Sequence, residues 1–124
     1  MDTRKKLLLI DDDEAVLSLL VTKLASRYEL FSSTEPLLAV ALAKAEQPDA
    51  VLCDIDMPEM SGGDVAAALA AEPLTARIPV IYLTALVSPE EARELGGDVG
   101  GRPGVSKRAP LAELVRVVES VIAR

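Results

Sequence analysis

Residues 7–13 read Leu7-Leu8-Leu9-Ile10-Asp11-Asp12-Asp13. Four apolar residues run without a polar break into three carboxylates. A short run that is apolar at every position suits a strand covered on both faces, as in parallel sheets. Three more runs end on a chemically active residue. Ala50-Val51-Leu52-Cys53 meets Asp54, Val80-Ile81-Tyr82-Leu83 meets Thr84, and Val105-Ser106 meets Lys107.

Between these runs the apolar period changes. Val16, Leu17, Leu20, Val21 and Leu24 keep helical spacing and predict a first helix over residues 14–26. A short second strand is predicted over 29–32. A second helix follows over 35–46, with Thr34 as N-cap, Pro36 early and Pro48 past its end. A third covers 63–71, stopped by Pro73. Ser88 caps a fourth, whose first turn holds Pro89, Glu90 and Glu91. The last runs over 110–123, with Leu111, Leu114, Val115, Val118, Val121 and Ile122 as its buried stripe. Five of the seven glycines lie between Gly96 and Gly104, which reads as a loop. Five strand–helix units in series predict one α/β domain over residues 1–124, a doubly wound parallel sheet with helices on both faces.

Composition narrows the function. The net charge of −7 argues against direct contact with a nucleic-acid backbone. No apolar run is long enough to cross a membrane, and residues 7–10 are too short for a signal-peptide core. A single cysteine makes no internal disulfide, as expected in a reducing cytoplasm. With no histidine, the chain has no Ser-His-Asp triad, no His-based zinc site and no phosphohistidine of its own. Any phosphohistidine belongs to another molecule.

The carboxyl ends of parallel strands share one edge, where open α/β sheets bind ligands. Asp11, Asp12, Asp54, Thr84 and Lys107 would meet there. Asp13 reads as a helix N-cap. One cap does not explain two further carboxylates behind it, because crowded like charges oppose each other's ionisation. A magnesium ion removes that conflict and takes oxygen ligands. Asp54 is either a turn residue before Pro58 and Gly62 or a nucleophile, since a carboxylate can attack phosphorus to give an acyl phosphate. Thr84 is either a β-branched strand end or a hydroxyl donor to a phosphoryl oxygen. Lys107 is either a surface charge or the partner of Asp54 or a phosphoryl group. Cys53 reads as a buried structural thiol on the opposite face. Asp56 is either a loop charge or a backbone carbonyl for the metal.

At these residues the chain resembles the receiver domain of two-component response regulators, the CheY-like superfamily. Residues 8–13 resemble its first strand and acidic pair, and residues 52–62, Leu52-Cys53-Asp54-Ile55-Asp56-Met57-Pro58-Glu59-Met60-Ser61-Gly62, its phosphoacceptor strand and loop. Residues 78–85, Ile78-Pro79-Val80-Ile81-Tyr82-Leu83-Thr84-Ala85, resemble its fourth strand and switch hydroxyl. Lys107 with Pro110-Leu111-Ala112-Glu113-Leu114 resembles its lysine and final helix. The resemblance implies a flavodoxin-like sheet in order 2-1-3-4-5. It implies Asp54 as phosphoacceptor, Asp11, Asp12 and the Asp56 carbonyl around Mg²⁺, Thr84 as switch hydroxyl and Lys107 as the phosphoryl-pairing cation. The donor would be a sensor histidine kinase or a His phosphotransfer protein, and the output a change of protein partner rather than enzymatic turnover.

Two positions depart from the family pattern. The family lysine is usually followed by a proline in a cis peptide, whereas Arg108 follows Lys107. A non-proline cis bond costs about 3 kcal/mol, which predicts a trans peptide and a less rigidly held Lys107. The usual aromatic three positions before the lysine is Gly104, so output is expected to run through the loop after strand four and residues 96–104. Two other functions compete. Gly104 and Arg108 suit a phosphorylation-independent binding module built on a decayed receiver. Asp54-Ile55-Asp56 echoes the Asp-x-Asp pair of haloacid-dehalogenase-type phosphatases, although there the nucleophile follows the first strand.

Overall fold

The computed structural model describes residues 3–85, 98–99 and 102–123. The elements run β1 (Lys6–Ile10), α1 (Glu14–Leu24), β2 (Glu29–Ser33), a 3₁₀ turn (Pro36–Leu38), α2 (Ala39–Glu46), β3 (Ala50–Asp54) and α3 (Gly62–Ala71). They continue with β4 (Val80–Thr84), β5 (Asp98–Val99), β6 (Arg102–Ser106) and α4 (Leu111–Ile122). The sheet order is β2-β1-β3-β4-β6-β5. Its five long strands are parallel, in the predicted order 2-1-3-4-5, and β5 pairs antiparallel with β6 at one edge. The predicted helix after Ser88 lies outside the described residues.

Strand alternation divides the core into two layers. Leu7, Leu9, Leu52, Ile81 and Leu83 point to one face, where α1 supplies Leu17, Leu20 and Leu24 and α4 supplies Leu114, Val118 and Val121. Leu8, Ile10, Val51, Cys53 and Tyr82 point to the other, against Ala39 and Ala43 of α2 and Val65, Ala66 and Leu69 of α3. Each fully buried leucine contributes about 1.5–3 kcal/mol relative to exposure. This two-sided burial is why the strands read as unbroken apolar runs.

Several local expectations change. Thr34 does not cap the second helix. The segment opens as a 3₁₀ turn with no side-chain cap, and Ser33 Oγ accepts from Glu35 N–H at 3.0 Å. Pro36, without an N–H, leaves one fewer donor there to satisfy. Leu111 opens α4 half-exposed, and Val117 takes the buried place, because helical spacing from Leu114 leads to Val117, Val118 and Val121. Residues 102–104 are strand, not loop: Pro103 and Arg102 pair with Asp98 and Val99. Gly104 sits buried beside Tyr82 of β4.

Candidate functional site at the carboxyl edge of the sheet

The strand register assembles the site. Leu9 pairs with Leu52 and Ile10 with Cys53, so one step further Asp11 stands opposite Asp54. On the next strands Leu83 pairs with Val105 and Thr84 with Ser106. Asp11 and Asp54 extend the rows of Leu9 and Leu52, and Lys107 extends the row of Val105. All three therefore lean toward the face packed by α1 and α4.

The side chains meet there. Lys107 Nζ lies 2.9 Å from Asp11 Oδ2 and 3.1 Å from Asp54 Oδ1. Asp11 is fully buried and Asp54 is 3% exposed. Asp11 Oδ1 accepts from Asp13 N–H at 2.9 Å, and Asp54 Oδ1 accepts from Asp56 N–H at 3.3 Å. Asp13 caps α1, accepting from Ala15 N–H at 2.9 Å, as its position suggested. Asp12 is exposed at the mouth. The cleft above the cluster, about 230 Å³, is lined by Asp12, Asp54, Asp56, Thr84 and Lys107 among others. A larger cleft of about 580 Å³ between α1 and the end of β2 gathers mainly hydroxyls and apolar groups and brings no cation near a carboxylate. The smaller cleft is the one that sets an ammonium beside carboxylates.

Burial sets the electrostatics. It pushes the Asp54 carboxyl up to about 6; the Lys107 ammonium opposes the rise and the Asp11 charge adds to it. Burial pulls the Lys107 ammonium down, but Asp11 and Asp54 outweigh that and hold its pKa above the ordinary value. Cys53 is buried on the other face, and burial, with the Asp54 and Asp11 charges, pushes its thiol up to about 12. A thiol so hard to ionise is no nucleophile at neutral pH.

The donors suit a hard divalent cation. Asp11, Asp12 and Asp54 each bring a carboxylate oxygen within 4.8 Å of the others. Asp11 Oδ2 is buried with Lys107 Nζ at 2.9 Å as its partner, and three carboxylates crowd round that one ammonium. An all-oxygen cluster with this excess of negative charge fits Mg²⁺.

The Response regulator receiver domain family matches residues 7–119. The chain belongs to this family. Receiver domains are signalling modules of two-component systems, and the match spans both the acidic edge and α4. The chain is similar to the response regulator PleD of Caulobacter vibrioides, 40% identical over 82 residues, covering 65% of this chain and 18% of PleD. It is similar to the probable transcriptional regulatory protein TcrX of Mycobacterium tuberculosis, 35% identical over 119 residues, covering 94% of this chain and 49% of TcrX. The chain thus spans half or less of these relatives' length. Among solved structures it resembles the receiver domain of the Pseudomonas aeruginosa sensor histidine kinase PA1611, which holds a magnesium ion in its active-site cleft. That likeness has a TM-score of 0.80 at 25% identity and covers 98% of this chain and 100% of the other. No helix among the described residues is long and apolar enough to cross a membrane.

Three features of this receiver domain were not read from the sequence. Asp11 was expected around the metal, yet its Oδ2 also holds Lys107, and residue spacing does not reveal which carboxylate a lysine chooses. No cis peptide occurs among the described residues, as Arg108 predicted. With that trans peptide Lys107 still reaches both carboxylates. Gly62 is more than a turn marker. A Cβ there would lie 2.6 Å from the Asp54 carbonyl oxygen, while Gly62 N–H donates to Ile55 O at 2.8 Å. Gly62→Ala should therefore cost about 1–3 kcal/mol in urea unfolding, because the loop carrying Asp56 has to move off Asp54. Unchanged stability would refute the close approach.

Proposed function

We propose that this domain accepts a phosphoryl group from a phosphohistidine onto Asp54 and thereby changes its protein partners. The observation that carries this is the buried Asp54 carboxylate, 3.1 Å from an ammonium and open to an acidic cleft. An Asp54 oxygen forms the new bond to phosphorus as the phosphorus–nitrogen bond breaks. The donor imidazole leaves with that electron pair and regains a proton. Lys107 pairs with the incoming phosphoryl oxygens, and the Thr84 hydroxyl, 4% exposed at the end of β4, donates to one of them. Asp11, Asp12, Asp54 and the Asp56 carbonyl would hold Mg²⁺. Bound there, the ion would neutralise charge on the phosphoryl group and on the nucleophile.

The donor is a sensor histidine kinase or a His phosphotransfer protein, since this chain has no histidine. With a net charge of −7, the domain itself makes no contact with nucleic acid. It acts in the cytoplasm, where such donors carry their phosphohistidine.

Incubation with acetyl phosphate and Mg²⁺ tests the reading. A long-lived phosphoryl adduct is the expected outcome. No adduct would favour a phosphorylation-independent binding module, and rapid multiple turnover would favour a phosphatase.

A further inference from the structure

The lysine that serves Asp54 sits on a turn fastened differently from what a following proline would allow. Ser106 is fully buried, and its Oγ accepts from Arg108 N–H at 3.1 Å. Ala109 N–H donates to Ser106 O at 3.0 Å, which closes the turn over Lys107. Lys107 N–H donates to Thr84 O at 2.9 Å and ties the turn to β4. From α1, Lys23 Nζ donates to Ala109 O at 3.0 Å and holds the far end. A serine hydroxyl bonded to the backbone two residues on stabilises such a turn. The bond needs an N–H at position 108, which arginine has and proline lacks.

We propose that Ser106 is the positioning residue for Lys107: its hydroxyl, accepting from Arg108 N–H, fixes the turn that aims the ammonium at Asp11 and Asp54. The proposal rests on Asp54 being the phosphoryl acceptor. Four carbons separate the Lys107 backbone from its ammonium, so where the charge arrives between Asp11 and Asp54 depends on where the turn sets the Lys107 Cα. Serine and Arg108 act as a pair: the N–H that Arg108 supplies has its acceptor in the buried hydroxyl.

The test compares Ser106→Ala and Ser106→Cys, each with Arg108 intact and each with Arg108→Pro. Phosphorylation by acetyl phosphate is followed at saturating Mg²⁺, and the Lys107 ammonium by ¹H–¹⁵N correlation spectra. With Arg108 intact, both Ser106 variants should phosphorylate about tenfold more slowly, because the 108 N–H loses its acceptor. With Pro at 108 the same substitutions should change the rate by less than about twofold, because no N–H remains to lose. The Lys107 ammonium signal should be sharp in the wild type and broaden in both variants. Cysteine fills the same space, so wild-type rate in Ser106→Cys would show a packing role and overturn the proposal. Equal slowing in both backgrounds, or an unchanged ammonium signal, would overturn it as well. If the wild type takes no phosphoryl group, the Asp54 reading falls, and the ammonium spectrum alone decides whether Ser106 positions Lys107.

Discussion

Asp54→Asn should abolish the acyl phosphate altogether and, without metal, make the protein more stable at neutral pH. The first effect follows from chemistry: an acyl phosphate forms from a carboxylate oxygen, which the neutral amide of asparagine does not offer. The second follows from burial. The Asp54 carboxyl is pushed from 3.8 to about 6 even with Lys107 at 3.1 Å, so the fold disfavours its charge on balance. As pH rises from about 4 the unfolded chain loses this proton first, so wild-type stability falls until the folded group has also ionised, near pH 7. Asparagine has no such charge, and Asp11 still holds Lys107. The variant should gain about 1–3 kcal/mol over the wild type at pH 7.5, and the gap should close toward pH 4. Urea unfolding in chelator across that range measures it. A gap that is absent, or that widens at low pH, would contradict the electrostatic account.

Asp12→Ala should weaken Mg²⁺ binding by about 10–100-fold. Asp11 and Asp54 already share the Lys107 ammonium, whereas Asp12, exposed at the mouth, has no ion pair among the described residues. Its charge is therefore the one least compensated before metal arrives. Asp13→Ala serves as the contrast. Asp13 spends an oxygen on Ala15 N–H, so its loss should cost about 1 kcal/mol of helix capping and little metal affinity. Calorimetric titration with Mg²⁺ separates the two. Equal loss in both variants would mean diffuse attraction to an acidic edge rather than a site.

What the sequence revealed depended on how strongly period and position constrain a residue. Strands apolar on both faces left an unmistakable mark, and the edge residues Asp11, Asp54, Thr84 and Lys107 followed from where those runs stop. Contacts made by direction rather than pattern stayed hidden. Nothing in Val105-Ser106-Lys107-Arg108 announces that Ser106 Oγ bonds the Arg108 N–H, or that Asp11 shares the lysine. The antiparallel pairing of β5 with β6 was missed because glycines at 100, 101 and 104 read as loop, while pairing by Asp98 and Val99 extends the last strand back to Arg102. The capping box at Ser61 and Asp64, which starts α3 a residue early at Gly62, was legible and went unread.

Asp54 alone should carry the phosphoryl group. Borohydride reduces an aspartyl phosphate to homoserine, and peptide sequencing then reports which residue was phosphorylated. After treatment with acetyl phosphate and Mg²⁺, homoserine should appear at position 54 and nowhere else. Homoserine at position 11, 12 or 56, or phosphoryl label with residue 54 still aspartate, would contradict the account.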